Sequence, residues 1–262
     1  QVKFKNEEGV IYDATGSGAF RDTLLDIIAH RRRRRSKENT IVGVRGGFLR
    51  KHLGDRQLPL GSHVGQAEQS NTSIIYDNIL FLKLYRRIEE GPNPDLELSR
   101  YLSEKTDFRH FPRYMGSLEW RRKGGEALML GMLTSFEANE GDGWGYMRDA
   151  VERFLGQVIT QRGDELKIPE LPESILDVGP DSIEQRLKDL MGGVYLDAAA
   201  LLGRRTAELH QALASLSGHR DIEAEPFSML YQRSVYQSMR ALALKVFGDL
   251  KKNIKSFPES VQ

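Results

Sequence analysis

The hydrophobic pattern of the chain is densest between Asn71 and Arg87, read NTSIIYDNILFLKLYRR. Ile74, Ile75 and Tyr76 form one apolar run, Asp77-Asn78 break it, and Ile79 to Tyr85 form a second that carries a single lysine, Lys83. Two β-rich runs joined by an Asp-Asn pair predict a hairpin, because both residues tolerate the positive φ of a type I′ turn. Side chains alternate across a strand, so Leu80, Leu82 and Leu84 take one face and Ile79, Phe81, Lys83 and Tyr85 the other. Apolar residues on both faces predict a strand covered on both sides. An ammonium at Lys83 is costly there unless its stem carries it to the sheet edge or an anion meets it. Both readings fit the local pattern.

The same reading places the other elements. Val2 to Tyr12 reads as a strand pair turning within Asn6 to Gly9. Phe20 to His30 reads as a helix with Leu24, Leu25, Ile27 and Ile28 inward, and Ile41 to Phe48 as a further strand. Gly91-Pro92-Asn93-Pro94-Asp95-Leu96-Glu97 marks a helix start. There Asn93 is the N-cap, Pro94 suits the first helical position, and Asp95 complements the positive end. Arg113 to Arg121 and Glu126 to Phe136 predict a second hairpin, turning at Lys123-Gly124-Gly125. Beyond it the chain reads as helical. Trp144, Met147, Val151 and Val158 recur at helical spacing, with Asp142 as a cap and Trp144 as a packing aromatic. Residues 161–180 hold three prolines and predict a loop. Asp181 to Leu216 and Phe227 to Ile254 carry long apolar stripes, the first weakened at Gly192-Gly193. The stripes predict buried faces on two antiparallel helices.

Composition narrows the class without naming it. The 262 residues carry a net charge of +1 and 39% apolar residues, which suits one large or two small domains with a real core. So small a net charge gives no general attraction to nucleic acid or membrane. There is no cysteine, hence no disulfide, thiolate metal site or cysteine nucleophile. No signal peptide and no membrane-length apolar run is evident, so a cytoplasmic protein is the expectation. The run Arg31 to Arg35 after His30 fits either a phosphate or nucleic-acid patch, or a solvated helix end where cations suit the negative dipole. The solvated end is preferred, because the chain as a whole is not basic. The six histidines show no metal-ligand spacing.

A strand bearing Lys83 followed by a helix bearing Glu97 is the order in which a protein-kinase-like small lobe holds ATP. The lysine meets the α/β-phosphates and the glutamate orients the lysine. At these residues the chain resembles maltokinase. The resemblance rests on Gln69-Ser70-Asn71-Thr72-Ser73, the LKLYRR around Lys83, the Asn93 to Glu97 helix start, and Asn139-Glu140-Gly141-Asp142-Gly143-Trp144. It runs from the first residues to the end and is most specific between Gln69 and Trp144.

The resemblance implies an α+β fold in three parts. Residues 1–65 would form an N-terminal cap, 66–143 a kinase-like lobe with an antiparallel sheet and one helix, and 144–262 the helical start of a second lobe. It also implies roles. The polar turn Gln69 to Ser73 would cover phosphates, Lys83 would neutralise them and Glu97 would hold Lys83. Ser135-Phe136-Glu137-Ala138 would be the hinge whose backbone meets adenine. The family places its catalytic base and metal ligands in a histidine-glycine-aspartate loop and a later aspartate-phenylalanine-glutamate motif, and neither string occurs here. The expectation is therefore the ATP-binding part of a maltokinase, an excised piece that does not turn over maltose alone, with Mg²⁺ ligands lying elsewhere. Two other readings are carried: a non-catalytic module docking a trehalose synthase domain, and a nucleic-acid binder acting through Arg31 to Arg35.

Overall fold

The computed structural model describes residues 2–4, 7–65, 71–122, 124–160, 179, 183–215 and 226–256. The chain divides into two compact units, Gln1–Ser215 and Leu216–Gln262. In the first, strands β1 (Val2–Phe4) and β2 (Glu7–Gly9) pair as a small ribbon. Helix α1 (Gly18–Ala29) follows, then β3 (Arg33–Arg35), β4 (Asn39–Arg45), the short α2 (Leu49–Leu53), β5 (Ser62–Val64), β6 (Asn71–Tyr76) and β7 (Leu80–Tyr85). Helix α3 (Pro94–Lys105), β8 (Tyr114–Arg122) and β9 (Ala127–Ser135) complete the sheet, in the order β3-β4-β8-β9-β7-β6-β5, with every pair antiparallel. The fold is α+β, as expected. Strands from either side of residue 65 share this one sheet.

The β6–β7 hairpin forms as its residues dictate. Asp77 and Asn78 sit at φ 46° and 53°, and the Ile79 N–H donates to the Tyr76 carbonyl at 2.9 Å. Two left-handed residues in succession make the type I′ turn whose twist matches the strands. Thr72 and Ser73 belong to β6, paired with Leu84 and Lys83, so from Asn71 on the polar stretch is strand rather than turn. The β-branched Thr72 suits an extended backbone, and the ladder to β7 satisfies its amides. Gln69 and Ser70 lie outside the described residues.

One face of the sheet holds the main core. Leu25, Ile28, Leu49, Ile74, Tyr76, Leu80, Leu82, Met115, Leu118 and Leu133 are all at most 1% exposed. Each of the aliphatic ones stabilises the fold by about 1.5–3 kcal/mol relative to an exposed position. Helix α1 approaches closely because β4 and β8 carry glycine beneath it. A Cβ on Gly43 would lie 1.9 Å from the Ile27 carbonyl oxygen, and one on Gly116 would lie 2.5 Å from Ile28 Cγ2. The Tyr76 hydroxyl donates to the Arg21 carbonyl at 2.8 Å, tying α1 to β6.

The opposite face carries α3 over a smaller cluster of Leu96, Tyr114 and Met132. Asn93 Oδ1 accepts the Leu96 N–H at 3.1 Å, the cap its sequence predicts, and Ser103 Oγ accepts the Tyr114 N–H at 2.8 Å. The helix is thus held to β8 by a buried hydrogen bond as well as by apolar contact.

Several expectations are corrected. Helix α1 ends at Ala29, so Arg31 to Arg35 is not a solvated helix end: Arg31 turns the chain at φ 53°, and Arg33 to Arg35 form the exposed edge strand β3. A cationic edge strand repels another sheet edge that would pair with it. Strand β4 stops at Arg45 rather than reaching Phe48. Helix α4 (Gly143–Thr160) is capped by Asp142, whose Oδ1 accepts the Gly145 N–H, but Trp144 is 79% exposed and packs no core. The predicted loop at 161–180 falls almost wholly outside the described residues.

The helical stretch after it splits into α5 (Gln185–Met191) and α6 (Gly193–Ala214). Gly192 takes φ 78° between them, a conformation open to glycine. Within the second unit, α7 (Met229–Asn253) begins at Ser228, whose hydroxyl accepts the Tyr231 N–H. Of the expected stripe, Phe227, Tyr231, Leu242, Val246 and Ile254 are exposed, so it is not the core face expected. Among the described residues no helix is long and apolar enough to cross a membrane.

Candidate nucleotide cleft

Lys83 sits on β7, an interior strand paired on both sides by β9 and β6, on the face that α3 partly covers. Its Nζ lies 3.0 Å from Asp95 Oδ2, in the first turn of α3. Tyr85, two residues along on the same face, donates its hydroxyl to the same carboxylate oxygen at 3.3 Å. Burial and the Asp95 charge beside it raise the Tyr85 phenol above its ordinary range, so it stays a donor. The anion that meets Lys83 is therefore Asp95 and not Glu97. Two residues along an α-helix turn the side chain by about 200°, so Glu97 projects from the far side of α3 when Asp95 faces the strand. Sequence reasoning ties Asp95 only to the helix dipole; its first-turn position opposite a strand lysine is the signal for a second role.

Lys83, Asp95, Phe81, Met132 and Thr134 line a cleft of about 460 Å³, in the range of small-molecule sites. Its far wall is Phe111-Pro112 and the segment Ser135, Phe136, Glu137 and Asn139. The structure thus brings Lys83 together with three of the four expected hinge residues. Ala138 is exposed and lines no part of the cleft. The N–H groups of Ser135 and Phe136 are already engaged, donating to the Arg113 and Ile79 carbonyls at 2.9 Å each. Ser135 Oγ donates to Glu137 Oε1 at 2.8 Å and accepts the Arg113 N–H at 2.9 Å. These bonds hold the segment in place and leave its later backbone groups to meet a ligand.

The phosphate-covering residues divide by face. Ser73 is the direct cross-strand partner of Lys83, so both side chains project from one face. Ser73 is buried, and its hydroxyl has no hydrogen-bond partner among the described residues. Asn71 shares that face by alternation. Thr72 does not: it points to the core side with Ile74 and Tyr76, and its Oγ1 accepts from Arg86 Nε at 3.0 Å. An orphaned buried hydroxyl beside an ammonium fits an oxyanion such as a phosphate group. Among the described residues no group of three or more His, Asp or Glu side chains converges as a metal site. Ser73 is not among the residues that line the cleft, which has its cationic end at Lys83.

No family model matches the chain. Among solved structures it is similar to a glucosamine kinase in one crystal form, at 19% identity and a TM-score of 0.42, over 76% of this chain and 35% of that one. A glucosamine kinase in complex with glucosamine, ADP and inorganic phosphate is similar at 19% identity and a TM-score of 0.44, over 76% and 37%. The chain spans a little over a third of the length of these structures. At such TM-scores the overlap is too loose to carry a residue-by-residue correspondence.

Proposed function

We propose that the cleft binds ATP and that the chain is the nucleotide-binding part of an ATP-dependent sugar kinase, of the maltokinase type that its motifs resemble. The observation that carries this reading is the pair of Lys83 on strand β7 and Asp95 on α3, set in the wall of a cleft that the Ser135 to Glu137 segment also lines. In this reading Lys83 Nζ donates to phosphate oxygens, Asp95 and Tyr85 keep the ammonium aimed, and the orphaned Ser73 hydroxyl donates to a further phosphate oxygen. The adenine lies against Phe81 and Phe136 and meets backbone groups of the Glu137 to Asn139 stretch. Gln69 and Ser70 stay assigned to covering the phosphates. Residues 1–65 serve as the cap, 66–143 as the nucleotide lobe and 144–262 as the start of the second lobe. Catalysis of phosphoryl transfer to maltose would need a base and Mg²⁺ ligands that the 262 residues do not contain in the family's form, so no chemical step is assigned to this chain.

The test is ATP-dependent phosphorylation of maltose by a longer polypeptide that includes these residues together with the two missing motifs, against the present chain. Product from the former and none from the latter, with loss of product in Lys83→Ala, is the expected result. Absence of product from both overturns the maltokinase assignment. A second reading, a module docking a trehalose synthase domain, is favoured by the exposed apolar positions of α7. Tight binding of such a domain without any ATP binding would select it.

A further inference from the structure

A second pocket adjoins the cleft and shares Phe111, Ser135 and Glu137 with it. It is walled by Phe48, Lys51 and His52 from the α2 region, by Arg109 and Arg113, and by Glu137. Its cations are not equivalent. Arg109 is engaged, donating to the Thr106 and Phe108 carbonyls and pairing with Asp107 at 3.2 Å. His52 donates Nε2–H to the Ile79 carbonyl at 2.8 Å, which fixes its ring in the wall. Lys51 and the Arg113 guanidinium make no ion pair among the described residues. Arg113 instead lies 4.9 Å above the Phe48 ring, and its guanidinium N–H groups meet no acceptor among the described residues. Its backbone is pinned on both sides by Ser135, so the guanidinium is pre-positioned rather than loose. The single acid is Glu137, which already accepts from Ser135 Oγ.

We infer that this pocket is a binding site for a small phosphate-bearing anion, held by Lys51 and Arg113 rather than by Lys83. Two unpaired cations, one of them a rigid planar donor array, match a tetrahedral oxyanion. The Glu137 carboxylate beside them selects an anion that also carries a hydrogen-bond donor, as a protonated phosphate or a phosphomonoester does and sulfate does not.

The probe is inorganic phosphate, titrated into the full chain near pH 6 and followed by its ³¹P line width, with sulfate as competitor. The expected result is saturable broadening, weakened about tenfold by Lys51→Gln and by Arg113→Gln, each substitution removing about one charge-assisted hydrogen bond. Sulfate should compete poorly despite its higher charge. Asp107→Asn should tighten phosphate by freeing the Arg109 N–H that it holds. Lys51 is exposed, so its variant decides the matter if Arg113→Gln does not fold. Non-saturable broadening, or indifference to both Lys51→Gln and Arg113→Gln, overturns the inference, as does sulfate competing as well as phosphate.

Discussion

Replacing Ser73 by alanine should make the free protein more stable and a worse binder of ATP. The Ser73 hydroxyl is buried, with 6% of the residue exposed, and has no hydrogen-bond partner among the described residues. A buried hydroxyl left unpaired costs about 1–3 kcal/mol of desolvation. Alanine removes that cost and gives back some of it through a weaker strand preference, on a scale spanning about 1 kcal/mol. The net expectation is a gain of about 1 kcal/mol, or about 2–4 °C in Tm for a unit of this size. Urea unfolding followed by tryptophan emission reads it cleanly, because Trp120 and Trp144 are the only tryptophans and both belong to the first unit. With ATP present the order should reverse, since the hydroxyl that is orphaned in the free protein is satisfied in the complex; the loss in affinity should be about tenfold. Destabilisation by Ser73→Ala would show that the hydroxyl has a partner after all. Stabilisation with unchanged ATP affinity would remove Ser73 from the phosphate end.

Other consequences can be checked with the same measurements. Gly43→Ala places a methyl 1.9 Å from the Ile27 carbonyl oxygen, so α1 must lift from the sheet. A loss of about 1–3 kcal/mol in urea unfolding is expected, whereas Gly124→Ala, with open space around it but φ 78°, should lose less. Asn93→Ala removes the α3 cap and should cost about 1 kcal/mol, weakening ATP binding by loosening Asp95. Burial raises the phenols of Tyr76, Tyr85 and Tyr114 above their ordinary value near 10.0. The folded state then keeps protons that the unfolded chain releases, so their contribution is whole below about pH 10 and lost as pH rises beyond it. Urea midpoints at pH 9 and pH 11 should show this fall, and Tyr85→Phe should make it shallower.

What the sequence disclosed depended on how local the determining physics was. The Asp77-Asn78 turn and the Asn93-Pro94 helix start rest on backbone preferences of a few adjacent residues, and both form where those preferences put them. The alternation along β7 placed Leu80 and Leu82 in the core and Lys83 on the other face. The first-turn position of Asp95 hinted at a partner for Lys83, but the choice of Asp95 over Glu97 depends on the rotation of α3, set by how Leu96 and Tyr114 pack, far apart in sequence. The arginine run shows the same limit from the other side. Its charge suggested a helix end, but the pairing of Arg33 to Arg35 with Thr40 to Val42 is a tertiary fact that charge does not encode. The division of Asn71, Thr72 and Ser73 between two faces became visible only once they were seen to be strand residues.

The central claim is that Lys83 at the end of this cleft holds nucleotide phosphates. Equilibrium dialysis of radiolabelled ATP against the chain and its Lys83→Met variant tests it most directly. Because the Lys83–Asp95 pair is partly exposed, its loss should cost at most about 1 kcal/mol of stability, so the variant should remain folded. Saturable ATP binding that weakens at least tenfold in Lys83→Met is the predicted result. No saturable binding by the unaltered chain, or equal binding by the two proteins, would contradict it.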